Sequence, residues 1–225
     1  YAVLFLTCVS SSRLDHGGEQ RLKPGVRKYS CELTVDSNTV NRDLILSEDN
    51  RTVTCVEEQP YPDHPERFEY CPQLMCREAL TGLCYWEVEW RKGVSISVTY
   101  RGIRRKGDID DCEFGENDQS WSLYCSDGGY SAKHNKRGTH IPSSSTSSSR
   151  VAVYVDHPAG SLSFYRVSSD TLTHLHTFRT TFTEPLYAGF TVWPDSSVSL
   201  CPLYCKKKTR KKTVKVHERV AAALQ

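Results

Sequence analysis

From residue 84 onward, apolar and polar residues alternate one by one in segment after segment of this 225-residue chain. Cys84, Trp86, Val88 and Trp90 fall on one side of 84–90, with Tyr85, Glu87 and Glu89 on the other. Val94, Ile96, Val98 and Tyr100 alternate with Ser95, Ser97 and Thr99. Trp121, Leu123 and Cys125 alternate with Ser120, Ser122 and Tyr124, and Val151, Val153 and Val155 with Ala152 and Tyr154. Leu186, Ala188, Phe190 and Val192 alternate with Tyr187, Gly189 and Thr191. A strand sends successive side chains to opposite faces, so each segment has one dry face and one wet face, as in antiparallel sheets. Several such strands separated by turn clusters make a sandwich or a barrel. No helical period of useful length precedes residue 206. The expected fold is all-β, in a chain long enough to bury a full core without cysteine staples.

The turns follow from residue chemistry. Asp156-His157-Pro158-Ala159-Gly160 lies between two strand patterns. Asp bonds its own turn backbone, Pro presets φ and Gly accepts a left-handed conformation, so a hairpin is expected there. Asp127-Gly128-Gly129 repeats that chemistry after Cys125. Ser143–Ser149, six Ser and one Thr, reads as an exposed loop, and Asp108–Asp118 as an acidic one. Residues 10–28, with Gly17-Gly18 and Pro24-Gly25, read as a linker.

The net charge of +2 hides a division. Residues 206–225 carry eight Lys or Arg and one Glu, which leaves 21 basic against 26 acidic residues in the body, a net −5. The folded body therefore lacks the basic face that phosphate neutralisation needs, and no nucleic-acid binding by it is expected. The basic tail reads as a solvated end, with nuclear targeting or contact with anionic lipid or RNA as alternatives. No apolar run reaches the length of a membrane span. Ten cysteines in 225 residues fall below the density of a disulfide scaffold. Cys84, Cys125 and Cys201 sit in strand patterns as small hydrophobes, which suggests reduced thiols and a cytoplasmic setting. The apolar start at 1–9 and the sequon Asn50-Arg51-Thr52 favour the competing, secreted reading.

Catalytic motifs do not appear. There is no H-E-x-x-H, G-x-S-x-G or G-x-G-x-x-G, and Gly102–Gly107 has P-loop glycine spacing but Asp108 where the lysine belongs. Cys71 with Cys76, and Cys201 with Cys205, have tolerable zinc spacing without a tight pair of knuckles. His174 and His176 share a strand face without a visible third ligand. No enzyme activity, cofactor or metal is expected.

Three ordered blocks then carry a resemblance. Thr81-Gly82-Leu83-Cys84-Tyr85-Trp86-Glu87-Val88-Glu89-Trp90, Val155–Tyr165 (V-D-H-P-A-G-S-L-S-F-Y) and Phe182–Phe190 (F-T-E-P-L-Y-A-G-F) resemble blocks of the PRY-SPRY family. Upstream, Leu33–Asp36, Leu44–Asp49, Tyr61-Pro62 and Pro65–Phe68 are similar to its PRY half. Residues 14–19 and 23–29 look like the linker before this domain in fish NACHT/leucine-rich-repeat innate receptors. The resemblance implies a bent sandwich of two antiparallel sheets over 29–204, with PRY at about 29–80 and SPRY at about 81–204. A leader and linker (1–28) and a basic tail (205–225) flank it. It further implies a non-catalytic module that binds a protein or peptide, as in tripartite-motif ubiquitin ligases, or else a part of a stonefish-type toxin. Where relatives carry Trp before His-Asn, this chain has Lys133.

Trp86, Trp90, Trp121 and Phe164 are expected in the core. Recognition is expected in loops at one end of the sandwich, Trp90–Gly93, Tyr100–Lys106, Ser126–Asn135 and Trp193–Ser196. Within them Arg91, Lys92, Tyr100, Asp127, Tyr130, Lys133, His134 and Trp193 are the candidate partner-binding residues, because Tyr, Trp and Arg make the best anchors.

Overall fold

The structure, a computed structural model, describes residues 13–14, 20–22, 24–142, 148–169 and 171–202. The apolar start, the basic tail with Cys205, and residues 143–147 of the serine-rich stretch lie outside the described residues. In chain order the strands are β1 (Arg13–Leu14), β2 (Gln20–Leu22), β3 (Leu44–Leu46), β4 (Thr52–Cys55), β5 (Gln73–Met75), β6 (Leu83–Arg91), β7 (Val94–Tyr100) and β8 (Ser120–Ser126). There follow β9 (Gly129–His134), β10 (Arg137–Ile141), β11 (Arg150–Asp156), β12 (Ser161–Ser168), β13 (Thr171–Arg179), β14 (Leu186–Val192) and β15 (Ser197–Leu200). A 3-10 turn spans Pro24–Tyr29 and a single helical turn, α1, spans Ile109–Cys112.

Nine strands form one sheet in the order β1-β2-β13-β12-β11-β6-β15-β4-β3, and six form the other as β10-β9-β8-β7-β14-β5. Neighbouring strands run antiparallel in both sheets. The dry faces foreseen from the alternation meet between the sheets, where Trp86, Trp90, Trp121 and Phe164 are buried among Val, Ile and Leu. The Asp156–Gly160 hairpin forms as its residues dictate, with Ala159 N–H donating to Asp156 Oδ1 at 3.0 Å. Gly160 has φ +65°, and a Cβ there would lie 1.9 Å from the Thr180 carbonyl oxygen, so no other residue fits.

Two expectations are corrected. The stretch read as a linker contains β1, β2 and the Pro24–Tyr29 turn, and β2 pairs with β13. Backbone pairing to a sheet edge needs no apolar alternation, so the pattern was silent there. The second concerns Cys84, whose strand pattern suggests a reduced thiol and which is joined to Cys31 by a disulfide. Cys55, Cys71, Cys76, Cys112, Cys125 and Cys201 are free. Burial pushes the Cys71 thiol up to about 12 and that of Cys125 well above its ordinary value.

The outer face of the nine-stranded sheet carries a small apolar patch of Tyr85, Ala152, Tyr165, Val167 and Leu172, with Tyr154 against it. Val26 and Tyr29 of the 3-10 turn pack on this patch. Beside it the buried Glu87 carboxylate accepts from the Tyr85 hydroxyl at 2.5 Å and from Arg27 Nε at 3.1 Å, and Arg150 Nε lies 3.4 Å away. His174, at the edge of this patch, contacts the Thr177 hydroxyl at 2.7 Å, and burial lowers its pKa.

Candidate binding surface

Register places the connecting segments at two opposite ends. Val94 pairs with both Cys125 and Val192, so the β6–β7, β8–β9 and β14–β15 turns share one end. Tyr100 pairs with Leu186 and Trp121 with His134, so the β7–β8 and β9–β10 connections lie at the other. The four loops expected to act together are therefore divided between the ends of the sandwich. Antiparallel strands reverse direction at each turn, and consecutive loops fall at alternate ends as a consequence.

At the β6–β7 end, Arg91 and Lys92 are exposed and Gly93 is buried. The β14–β15 turn folds against this hairpin. Trp193 N–H donates to the Gly93 carbonyl at 3.2 Å, and Gly93 N–H donates to Ser196 Oγ at 2.9 Å. Lys92 Nζ lies 3.2 Å from Asp195 Oδ2 with both side chains mostly in water, a pairing worth little. A Cβ at Gly93 would sit 3.1 Å from the Tyr124 hydroxyl and 3.6 Å from Trp193 Cδ1. The glycine thus lets an exposed Tyr and a half-buried Trp close over bare backbone. The Trp193 indole N–H is buried and meets no acceptor among the described residues. Such a donor costs about 1–3 kcal/mol. Asp127 is exposed in the neighbouring β8–β9 turn.

Tyr130 belongs to the same end but points inward. It pairs with the buried Cys125, meets Trp90 edge-to-face at 6.3 Å, and donates to the Ser148 carbonyl at 3.3 Å. Burial pushes its phenol up to about 12. The alternation along β9 turns the next residue, Ser131, outward instead.

The other candidates are structural braces at the β7–β8 end. Tyr100 is buried, and its hydroxyl accepts from Thr183 N–H at 3.1 Å. His134 stacks on Trp121 with ring centroids 4.7 Å apart, and Tyr100 and Phe182 meet the same Trp edge-to-face at 5.3 and 5.2 Å. Lys133, in place of the expected Trp, is ion-paired with Glu116. The Tyr100–Lys106 segment is similarly occupied. Arg101 Nη2 lies 3.2 Å from Asp36 Oδ2 and 3.1 Å from Glu66 Oε2, and Arg105 Nη2 lies 3.1 Å from the same Glu66 oxygen. Arg105 also stacks over Phe68 at 4.9 Å. This network ties residues 36–68 to the β7–β8 connection.

Of the eight candidates, Arg91, Lys92, Asp127 and Trp193 lie together on one exposed end. Tyr124, exposed beside Gly93 and not among the eight, completes the group. Its signal was present in the sequence, as a large aromatic in the wet register of 120–125. Among the described residues no three His, Cys, Asp or Glu side chains are grouped to hold a metal ion, and no helix is long and apolar enough to cross a membrane.

The chain matches the model of the PRY, or SPRY-associated, domain over residues 33–80 and that of the SPRY domain over 83–203. It belongs to the SPRY domain family. Stonustoxin subunit alpha of Synanceia horrida is 44% identical over 171 residues, covering 74% of this chain and 24% of that protein. Tripartite motif-containing protein 16 of Mus musculus is 37% identical over 176 residues, covering 76% and 31%. Among solved structures, that of stonustoxin superposes with TM-score 0.73 at 39% identity, covering 77% of this chain and 29% of that one. The TRIM65 PSpry domain superposes with TM-score 0.72 at 25% identity, covering 79% and 93%. The chain thus spans a quarter to a third of the length of these curated relatives. SPRY domains bind protein partners and serve as interaction modules in tripartite-motif proteins.

Proposed function

We propose that this module grips a protein or peptide partner through the β6–β7 end, with Trp193 and Tyr124 as aromatic anchors and Arg91, Lys92 and Asp127 around them. One observation carries the reading: a Tyr and a Trp converge over the bare backbone of Gly93 beside two cations, on a rigid sheet end. Aromatic and Arg side chains on a fixed frame lose little entropy on binding, which suits them as anchors. The module works without bond-making chemistry, as the recognition end of an innate-immune receptor or ubiquitin-ligase-type protein.

Peptides selected from a displayed library against the 225-residue chain test the surface. Trp193→Ala should weaken the selected peptides by about thirtyfold or more, the loss typical of an interface anchor. Peptides that bind Trp193→Ala and Tyr124→Ala as tightly as the parent chain rule the surface out.

A second reading, a component of a secreted toxin, is favoured by the identity to stonustoxin subunits. The coding sequence upstream of Tyr1 separates the two readings. A Met with a basic, then apolar, leader supports secretion, and leucine-rich repeats or a ligase tripartite motif support the receptor or ligase.

A further inference from the structure

The outer patch around Tyr85 and Tyr165 is covered by a segment that belongs to neither sheet interior. Residues 24–31 run across it, and four kinds of contact hold them. Val26 and Tyr29 supply apolar cover, with the Tyr29 ring 6.2 Å from that of Tyr154. Arg27 pairs with the buried Glu87. Ser30 forms a parallel bridge to Tyr85, and Cys31 N–H donates to the Tyr85 carbonyl at 3.0 Å. The Cys31–Cys84 disulfide supplies the covalent tie to β6, an interior strand of the nine-stranded sheet.

Its two cysteines differ in access. Cys84 is 4% exposed, whereas Cys31 is half-buried and lines an open cavity of about 290 Å³ with Trp86, Glu87, Arg51 and Cys201. That cavity opens beside β6 where β15 has ended and the Ser30–Cys31 segment begins.

We propose that Cys31–Cys84 is a redox-modification site, opened by a dithiol reductant through this cavity, which clasps residues 24–31 onto the outer face of the sheet. The step balances without another reactant. A thiolate of the reductant attacks the Cys31 sulfur, the disulfide bond breaks, and Cys84 leaves as a thiolate that takes up a proton. The reductant's second thiol then attacks the mixed disulfide, releases Cys31 as a thiol, and closes the reductant into its own disulfide. Two electrons and two protons pass to the cysteine pair. Cys71 and Cys125 stay silent because burial keeps them as thiols, and a thiol is neither the nucleophile nor the leaving form in exchange. Opening leaves the segment with its non-covalent contacts alone and makes the Tyr85, Tyr154 and Tyr165 patch accessible.

The test uses the full 225-residue chain, purified without reductant. Peptide mapping by mass spectrometry should find Cys31 linked to Cys84. Hydrogen exchange is then compared before and after dithiothreitol, the probe reductant. Amides of residues 25–33 should exchange at least about tenfold faster after reduction, while those of β7 keep their protection. Cys31→Ser should show the fast exchange with or without reductant, and Cys71→Ser should respond as the parent does. Free thiols at Cys31 and Cys84 in the unreduced chain would overturn the proposal. So would exchange at 25–33 that reduction leaves unchanged, or an equal loss of protection in β7. The comparison within the parent chain needs no variant, so a Cys31→Ser that fails to fold leaves the test decisive.

Discussion

The two ends of the sandwich are built from the same strands and are arranged in opposite ways. At the β7–β8 end, the long connection is drawn back onto the body. Arg101 and Arg105 reach Asp36 and Glu66, and Trp121 is enclosed by His134, Tyr100 and Phe182. At the β6–β7 end the turns are short, and Arg91, Lys92, Asp127 and Tyr124 face water. Charge and aromatic content therefore do not tell the ends apart, since both carry cations and rings. What differs is how far those groups are enclosed, since Arg105 and Trp121 are buried among their partners whereas Lys92 meets Asp195 in water. A long connection has the reach to satisfy its own side chains, whereas a tight turn leaves them outward.

Three substitutions can break or sharpen this contrast. Trp121→Ala removes the ring on which His134, Tyr100 and Phe182 converge, and should cost about 3–5 kcal/mol in urea unfolding. That is a large share of a typical domain's roughly 5–15 kcal/mol. A cost below about 1 kcal/mol would mean that this end is not braced by its aromatic cluster. Glu66→Ala strips the carboxylate from the nearly buried Arg105 and the half-exposed Arg101. Arg105 keeps backbone carbonyl acceptors and Arg101 keeps Asp36, so the loss should be about 1 kcal/mol. At the opposite end, Arg91→Ala should shift stability by no more than about 0.5 kcal/mol, read from the same unfolding curves. A larger loss would show that Arg91 is also part of the frame.

Much of the frame was legible because a period of two is a strong signal over seven to nine residues. The dry residues of β6, β7, β8, β11 and β14 are the ones that face the core. The short strands were not legible, because three or four residues such as Gln73–Met75 carry too little alternation to be distinguished from loop. The candidate surface was half legible. Arg91, Lys92, Asp127 and Trp193 follow from being polar or aromatic at strand ends. Tyr100 and His134 were misplaced because turn chemistry marks a loop without saying which end it occupies; counting strand reversals would have separated them from Arg91. Tyr130 sits one position of register from the outward side, since its pairing with Cys125 turns it inward. The Cys31–Cys84 link had no local signature, because residues 53 apart in sequence become neighbours only when the chain at Ser30 lies beside Tyr85.

The chain joins and leaves β6 along one edge. Cys31 N–H reaches the Tyr85 carbonyl, and Cys201 N–H reaches that of Glu87 at 2.9 Å. Two residues of strand separate those carbonyls by about 6.6 Å. The edge of β6 that β15 leaves at Leu200 is thus taken over by the segment at Ser30–Cys31, so two stretches far apart in sequence cap one strand in turn.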